Sequence, residues 1–236
     1  MKRDVFIETQ HVVSLRNAVT SALGAGRGYP AIVMNYGEAG AGKTIAAQML
    51  YSRFGGYYQR AYEGMSLAAF LQELSYKVDG SRPHGTHRCR QRLLSRLESK
   101  PRPLFIDEAD RLHVSCLEAL RDLHDETGSP VVLIGEMGLP TRVSARSRIN
   151  DRIPEAFRVH FNEITMTDVS LYAAEAADLS LSPEAASVVH KETNGNFRRI
   201  HNAVLTLENA AKVDGRREIN ADFARVAFGA QGGQTA

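Results

Sequence analysis

Residues 37–44 read GEAGAGKT, a complete G-x-x-x-x-G-K-[ST] segment. The apolar run AIVMNY (31–36) leads straight into it. That run predicts a buried strand, and the residues from about Lys43 to Phe54 predict a helix. A strand, a glycine-rich turn and a helix in this order suit phosphate binding. Glycine permits backbone conformations in which successive N–H groups converge on phosphate oxygens. The helix N-terminus adds its partial positive charge. At this spacing Lys43 is placed for the β- and γ-phosphates, and Thr44 for Mg²⁺. The expected nucleotide-contacting residues are therefore Gly37, Glu38, Ala39, Gly40, Ala41, Gly42, Lys43 and Thr44, with Ile45 next on the helix.

The remaining pattern places this loop in an α/β unit. YYQRAY (57–62) looks like a second strand, and the apolar runs at 103–107 and 131–135 predict two more. Helices are expected over 9–24, 66–78, 86–98 and 116–126. Near-continuous apolar strands alternating with helices imply a parallel sheet covered on both faces. After about residue 164 no strong strand is predicted, and helices are expected near 166–177, 183–192, 197–212 and 220–227. The expected organisation is an α/β nucleotide-binding domain over 1–164, a small all-helical domain over 165–228, and a disordered tail over 229–236.

The segment PLFIDEAD, about sixty residues beyond the glycine-rich loop, carries four apolar residues and then two acids, Asp107 and Glu108. Asp107 is placed to hold Mg²⁺ through water. Glu108 is the candidate general base for the attacking water. These two acids and the loop together predict ATP hydrolysis with Mg²⁺.

Composition narrows the class further. Apolar residues make up 43% of the 236 and charged residues 24%, an ordinary soluble mixture. No apolar run approaches the roughly 18–20 residues that span a bilayer, and MKRDVFIETQ has no apolar signal-peptide core. A cytoplasmic protein without a membrane partner is expected. Two isolated cysteines, Cys89 and Cys116, suit reduced thiols better than a disulfide framework. The net charge of +2 is weak, but residues 82–102 are rich in Arg and Lys and hold a single acid, Glu98. Arg88, Arg92 and Arg96 recur every four residues, so a helix aligns them in one stripe able to follow a phosphate backbone. Arg90 lies off that stripe. No aromatic residues interleave, so the stripe predicts phosphate contact rather than base stacking. The irregular His84, His87 and Cys89 grouping does not predict zinc.

The phosphate loop, the FIDEAD strand end and the helical C-terminal region resemble AAA+ P-loop ATPases. The stretch FIDEADRLHVSCLEALRDLHDETGSPVVLIG resembles the transposition ATPases of the phage Mu B, TnsC and IstB-like family. So do FIET near the start, SRINDR at 147–152, and GNFRRIHNAV followed by INADFARVAF. The resemblance covers roughly residues 4–228. It implies an ATP-dependent, non-sequence-specific binder of double-stranded DNA that assembles with itself into helical filaments. It also implies delivery of that DNA to a transposase, which the protein stimulates. A helicase loader of the IstB-like kind, or a regulatory ATPase scaffold without DNA, uses a similar core.

The resemblance also assigns roles to individual residues. An arginine from a neighbouring subunit reaches the γ-phosphate in such assemblies. TRVSARSRINDRI offers Arg142, Arg146, Arg148 and Arg152, with Arg148 the favoured candidate and Arg152 next. Arg198, in GNFRRI, resembles the arginine that contacts nucleotide from the C-terminal helical domain; Arg199 is its neighbour. Glu136 stands where a neutral polar sensor is common. A carboxylate there repels a γ-phosphate unless an arginine or a metal pairs with it.

Overall fold

The computed structural model describes residues 1–2 and 5–232. They divide into two compact units, one of residues 10–39 and 43–161, the other of residues 1–9, 40–42 and 162 onward. The first contains α1 (Gln10–Ala25), β1 (Ile32–Gly37), α2 (Lys43–Phe54), β2 (Tyr57–Arg60), α3 (Leu67–Asp79), α4 (Thr86–Ser99) and β3 (Leu104–Asp107). A 3-10 turn at Ala109–Arg111 follows, then α5 (Val114–Thr127), β4 (Val131–Gly135), α6 (Leu139–Ser144), α7 (Ser147–Asn150) and β5 (Arg158–Phe161).

The sheet runs β2-β3-β4-β1-β5, with every pairing parallel. β1, β3 and β4 are central and almost wholly buried, which explains their unbroken apolar character. Met34, Ile106 and Leu133 form one core with Phe70 and Leu74 of α3, Leu93 and Leu97 of α4, and Leu117 and Leu120 of α5. The order brings the C-terminal ends of β1 and β3 to the two sides of β4, where an open α/β sheet offers a ligand crevice. The ends of α3 follow from local chemistry: Ser66 Oγ accepts the Ala69 amide, and Gly80 closes the helix at φ 77°.

The second unit contains α8 (Met166–Ala177), β6 (Ser180–Leu181), α9 (Pro183–Thr193), α10 (Phe197–Val213), β7 (Glu218–Ile219) and α11 (Ala221–Gly232). Val169, Val189, Ile200, Val204 and Leu207 form its core. A capping box of Thr165 and Asp168 starts α8.

The expected strands and helices are present within a few residues of their predicted ends. The architecture is the expected one, a parallel sheet flanked by helices with a C-terminal helical unit. Five elements escaped prediction: β5, α6, α7, β6 and β7. β5 is an edge strand with only Val159 and Phe161 buried, so it lacks the apolar run of the central strands. α6 and α7 are too short for a helical period to show. The two-residue β6–β7 pairing gives no sequence signal. Residues 1–9 group with the second unit. α11 continues through residues 229–232, which composition assigned to a disordered tail, and residues 233–236 lie outside the described residues.

Candidate nucleotide site

The loop between β1 and α2 is the centre of the candidate site. Lys43 is buried, and its Nζ donates to the carbonyls of Gly37 at 2.9 Å and Glu38 at 2.7 Å. The ammonium is thus tied to the loop that would wrap the phosphates. Burial pushes the Lys43 pKa below the ordinary lysine value, while nearby Glu136, Asp110, Asp107 and Glu108 oppose that shift. Gly37 sits opposite Phe161 in the β1–β5 register, and a side chain there would collide with the Phe161 carbonyl. Gly40 (φ 83°) and Gly42 (φ 95°) take left-handed conformations that glycine adopts without strain. Ile45, at the start of α2, is half exposed.

Asp107 closes β3 as a buried carboxylate with several donors. Thr44 Oγ1 lies 3.3 Å from its Oδ1 and 3.2 Å from its Oδ2. The Glu108 amide donates to Oδ1 at 3.0 Å, and the Tyr58 hydroxyl donates to Oδ2 at 2.9 Å. Glu108 is held in another way. Its backbone is left-handed (φ 57°, ψ 36°), a conformation costing a non-glycine residue about 1–3 kcal/mol. Its carboxylate pairs with Arg60 at 3.0 Å and with Arg111 at 3.1 Å. Asp110 Oδ1 accepts the Glu136 amide at 2.9 Å and so fixes the end of β4 to the turn after β3. A side chain at Gly135 would run into that same Asp110 oxygen. The Glu136 side chain itself is exposed.

These residues fit a Mg²⁺ ion that arrives with a nucleotide. Thr44 and Asp107 offer a hydroxyl and a carboxylate, hard oxygen donors. Among the described residues no group of three or more His, Cys, Asp or Glu could hold a metal alone. Mg²⁺ ordinarily takes one or two carboxylates and completes its shell with phosphate and water oxygens.

The arginines expected from sequence fall into distinct environments. Arg148 on α7 and Arg146 before it are exposed, with no side-chain partner among the described residues. Arg152 is committed to Asp125 through Nε at 3.0 Å and a terminal nitrogen at 3.1 Å. Arg142 donates to the Leu112 carbonyl. In the second unit the Arg198 amide donates to the Gly40 carbonyl at 3.0 Å, and its exposed guanidinium has no partner among the described residues. On α4, Cys89, Leu93 and Leu97 face the core, and Arg88, Arg92 and Arg96 lie one residue off that stripe, exposed. Arg92 pairs with Asp79 at 3.3 Å, while the guanidiniums of Arg88 and Arg96 have no partner among the described residues. Arg90 pairs with Glu126.

Tyr58, Arg60, Asp110 and Arg111 were not expected from sequence. Arg111 had a signal, since it lies three residues after Glu108. Tyr58 and Arg60 had none, because the β2–β3 register that sets Arg60 opposite Asp107 cannot be read from sequence.

Comparison with known proteins agrees with this architecture. Residues 27–143 match the model of the AAA domain. A "potential ATP-binding protein" of Staphylococcus aureus is 28% identical over 134 residues, 52% of this chain. The chain matches 48% of that relative's length, about half. The ORC2 protein of Aeropyrum pernix, solved in ADPNP–ADP complexes, superposes with a TM-score of 0.65 at 15% identity, over 100% of this chain and 70% of that one. The Thermotoga maritima RuvB Holliday junction branch migration motor gives a TM-score of 0.60 at 19% identity, over 97% and 71% of the two chains. At these identities the solved structures speak to the fold alone.

Proposed function

We propose that this chain is a Mg²⁺-dependent ATPase that assembles with itself on double-stranded DNA, without regard to sequence, and delivers that DNA to a transposase. The observation that carries the catalytic half is the apposition of Lys43 and Thr44 to Asp107 and Glu108, at the ends of β1 and β3 on either side of β4. The DNA half rests on the exposed Arg88, Arg92 and Arg96 stripe. The transposase assignment rests on the sequence resemblance.

In this reading the 37–44 backbone cradles the phosphates, and Lys43 turns from its carbonyl partners to the β- and γ-phosphates. A Mg²⁺ ion arriving with the nucleotide would supply positive charge against the charge that develops in the reaction. Thr44 and Asp107 hold the metal's side of the site. Glu108 takes the proton of the attacking water, once its carboxylate is turned from Arg60 and Arg111. Arg148 of one subunit reaches the γ-phosphate held by the next; Arg152 could do so only by leaving Asp125. Arg198 and Glu136 report on the nucleotide.

Among the described residues no helix is long and apolar enough to cross a membrane. The reading places the protein in the cytoplasm of a bacterial or phage-infected cell. Electron microscopy of the protein with DNA tests it. Ordered protein-coated DNA with ATP, and bare DNA without it, is the expected result. Identical coating with and without nucleotide would refute ATP-dependent assembly.

A further inference from the structure

We infer that Tyr58 is a positioning residue of this site: its hydroxyl fixes the Asp107 carboxylate for a Mg²⁺ ion bound with ATP. The inference rests on the ATPase reading above and adds a residue to it. Tyr58 lies on β2, opposite Phe105 in the parallel register with β3. Its ring stacks on Phe105, with centroids 6.3 Å apart and planes 18° apart. The Tyr51 ring of α2 lies against it at 5.6 Å. Two aromatic neighbours therefore fix where the phenol points, and it points at Asp107 Oδ2.

The need for such an anchor follows from the chemistry of an aspartate. Its terminal torsion is broad, so a carboxylate held by one oxygen can pivot. Oδ1 is held by the Glu108 amide at 3.0 Å. Thr44 contacts both oxygens at 3.2–3.3 Å, a long and shared interaction that does not choose between them. The 2.9 Å bond from Tyr58 is the shorter contact to Oδ2, and it fixes the second oxygen. Groups that orient a metal-holding carboxylate typically change metal affinity or activity about 10–100-fold when removed.

Tyr58→Phe keeps the ring and removes only the hydroxyl. The measurement is Mg²⁺ affinity of the protein loaded with a fluorescent ATP analogue, beside affinity for the analogue without metal. Weakening of Mg²⁺ affinity by about 10-fold or more is expected, with metal-free nucleotide affinity unchanged. Tyr51→Phe removes the hydroxyl of the neighbouring ring and is expected to match the parent in both. Parental Mg²⁺ affinity in Tyr58→Phe would overturn the inference. Equal losses with and without metal would overturn it too, by making Tyr58 a support of the loop rather than of the metal. A parent protein that binds no nucleotide would break the ATPase reading itself.

Discussion

The acids at the end of β3 and the arginines of α4 handle charge in opposite ways. At the candidate site the charged groups are paired within the same unit. Lys43 is tied to the loop carbonyls, Asp107 to neutral donors, and Glu108 to Arg60 and Arg111. On α4 the Arg88 and Arg96 guanidiniums face solvent without a partner among the described residues. Pre-paired charge suits a reaction centre, where groups must be oriented before the substrate arrives. Unpaired exposed cations suit a polyanion, whose counterions they can displace. The contrast also separates the two acids. Asp107 is buried, whereas Glu108 is held by arginines that are largely exposed, and exposed ion pairs are weak and readily exchanged. Asp107 is thus built to stay and Glu108 to move.

The largest expected effect separates the two regions at once. Lys43→Ala removes the cation for the β- and γ-phosphates, and the γ-phosphate is part of the proposed subunit contact. Nucleotide binding and ATP-dependent DNA retention should both be lost, while the arginines of α4 remain in place. Full ATP-dependent retention in a gel or filter assay would contradict the proposed link between them.

Glu108→Gln should come next. It keeps size and hydrogen bonding but cannot accept the proton of water, and loss of a general base typically slows a reaction about 10²–10⁴-fold. ATP should still bind, because Lys43, Thr44 and Asp107 are untouched. DNA should be released more slowly, because bound ATP favours the assembled state. An unchanged turnover rate would remove Glu108 from the chemistry.

Replacing Arg88, Arg92 and Arg96 together by Ala addresses the other region. Each phosphate contact contributes about −0.9 to the log–log salt slope, so losing all three shallows it by at most about 2.7. The change should be smaller, because Arg92 already pairs with Asp79. DNA-independent ATP hydrolysis should be unaffected. A parental salt slope would move the DNA contacts to another surface.

The smallest effect is expected from Glu136→Gln. Its amide, not its carboxylate, is the group bonded to Asp110, so turnover should stay within a few-fold of the parent. A loss as large as that of Glu108→Gln would transfer the base role to Glu136.

Legibility from sequence follows the same division. The loop, Lys43, Thr44, Asp107 and Glu108 could be read because each sits in a contiguous segment with its own strand or helix. The central strands could be read because burial on both faces leaves an apolar run. β5 could not, since only Val159 and Phe161 of its four residues are buried, which leaves no apolar run. Tyr58 and Arg60 reach the acids only through the pairing of β2 with β3, a non-local fact. The commitment of Arg152 to Asp125 joins residues 27 positions apart, so sequence ranked it beside Arg148 although their surroundings differ.

The central claim is that ATP at the loop governs DNA held by a separate basic face. Fluorescence anisotropy of labelled duplex DNA, titrated with the parent protein in ATP and in ADP over a range of salt, tests it most directly. The account predicts tighter binding in ATP, equal affinity for unrelated sequences, and a steep loss of affinity as salt rises. Equal affinity in ATP, in ADP and without nucleotide would contradict it.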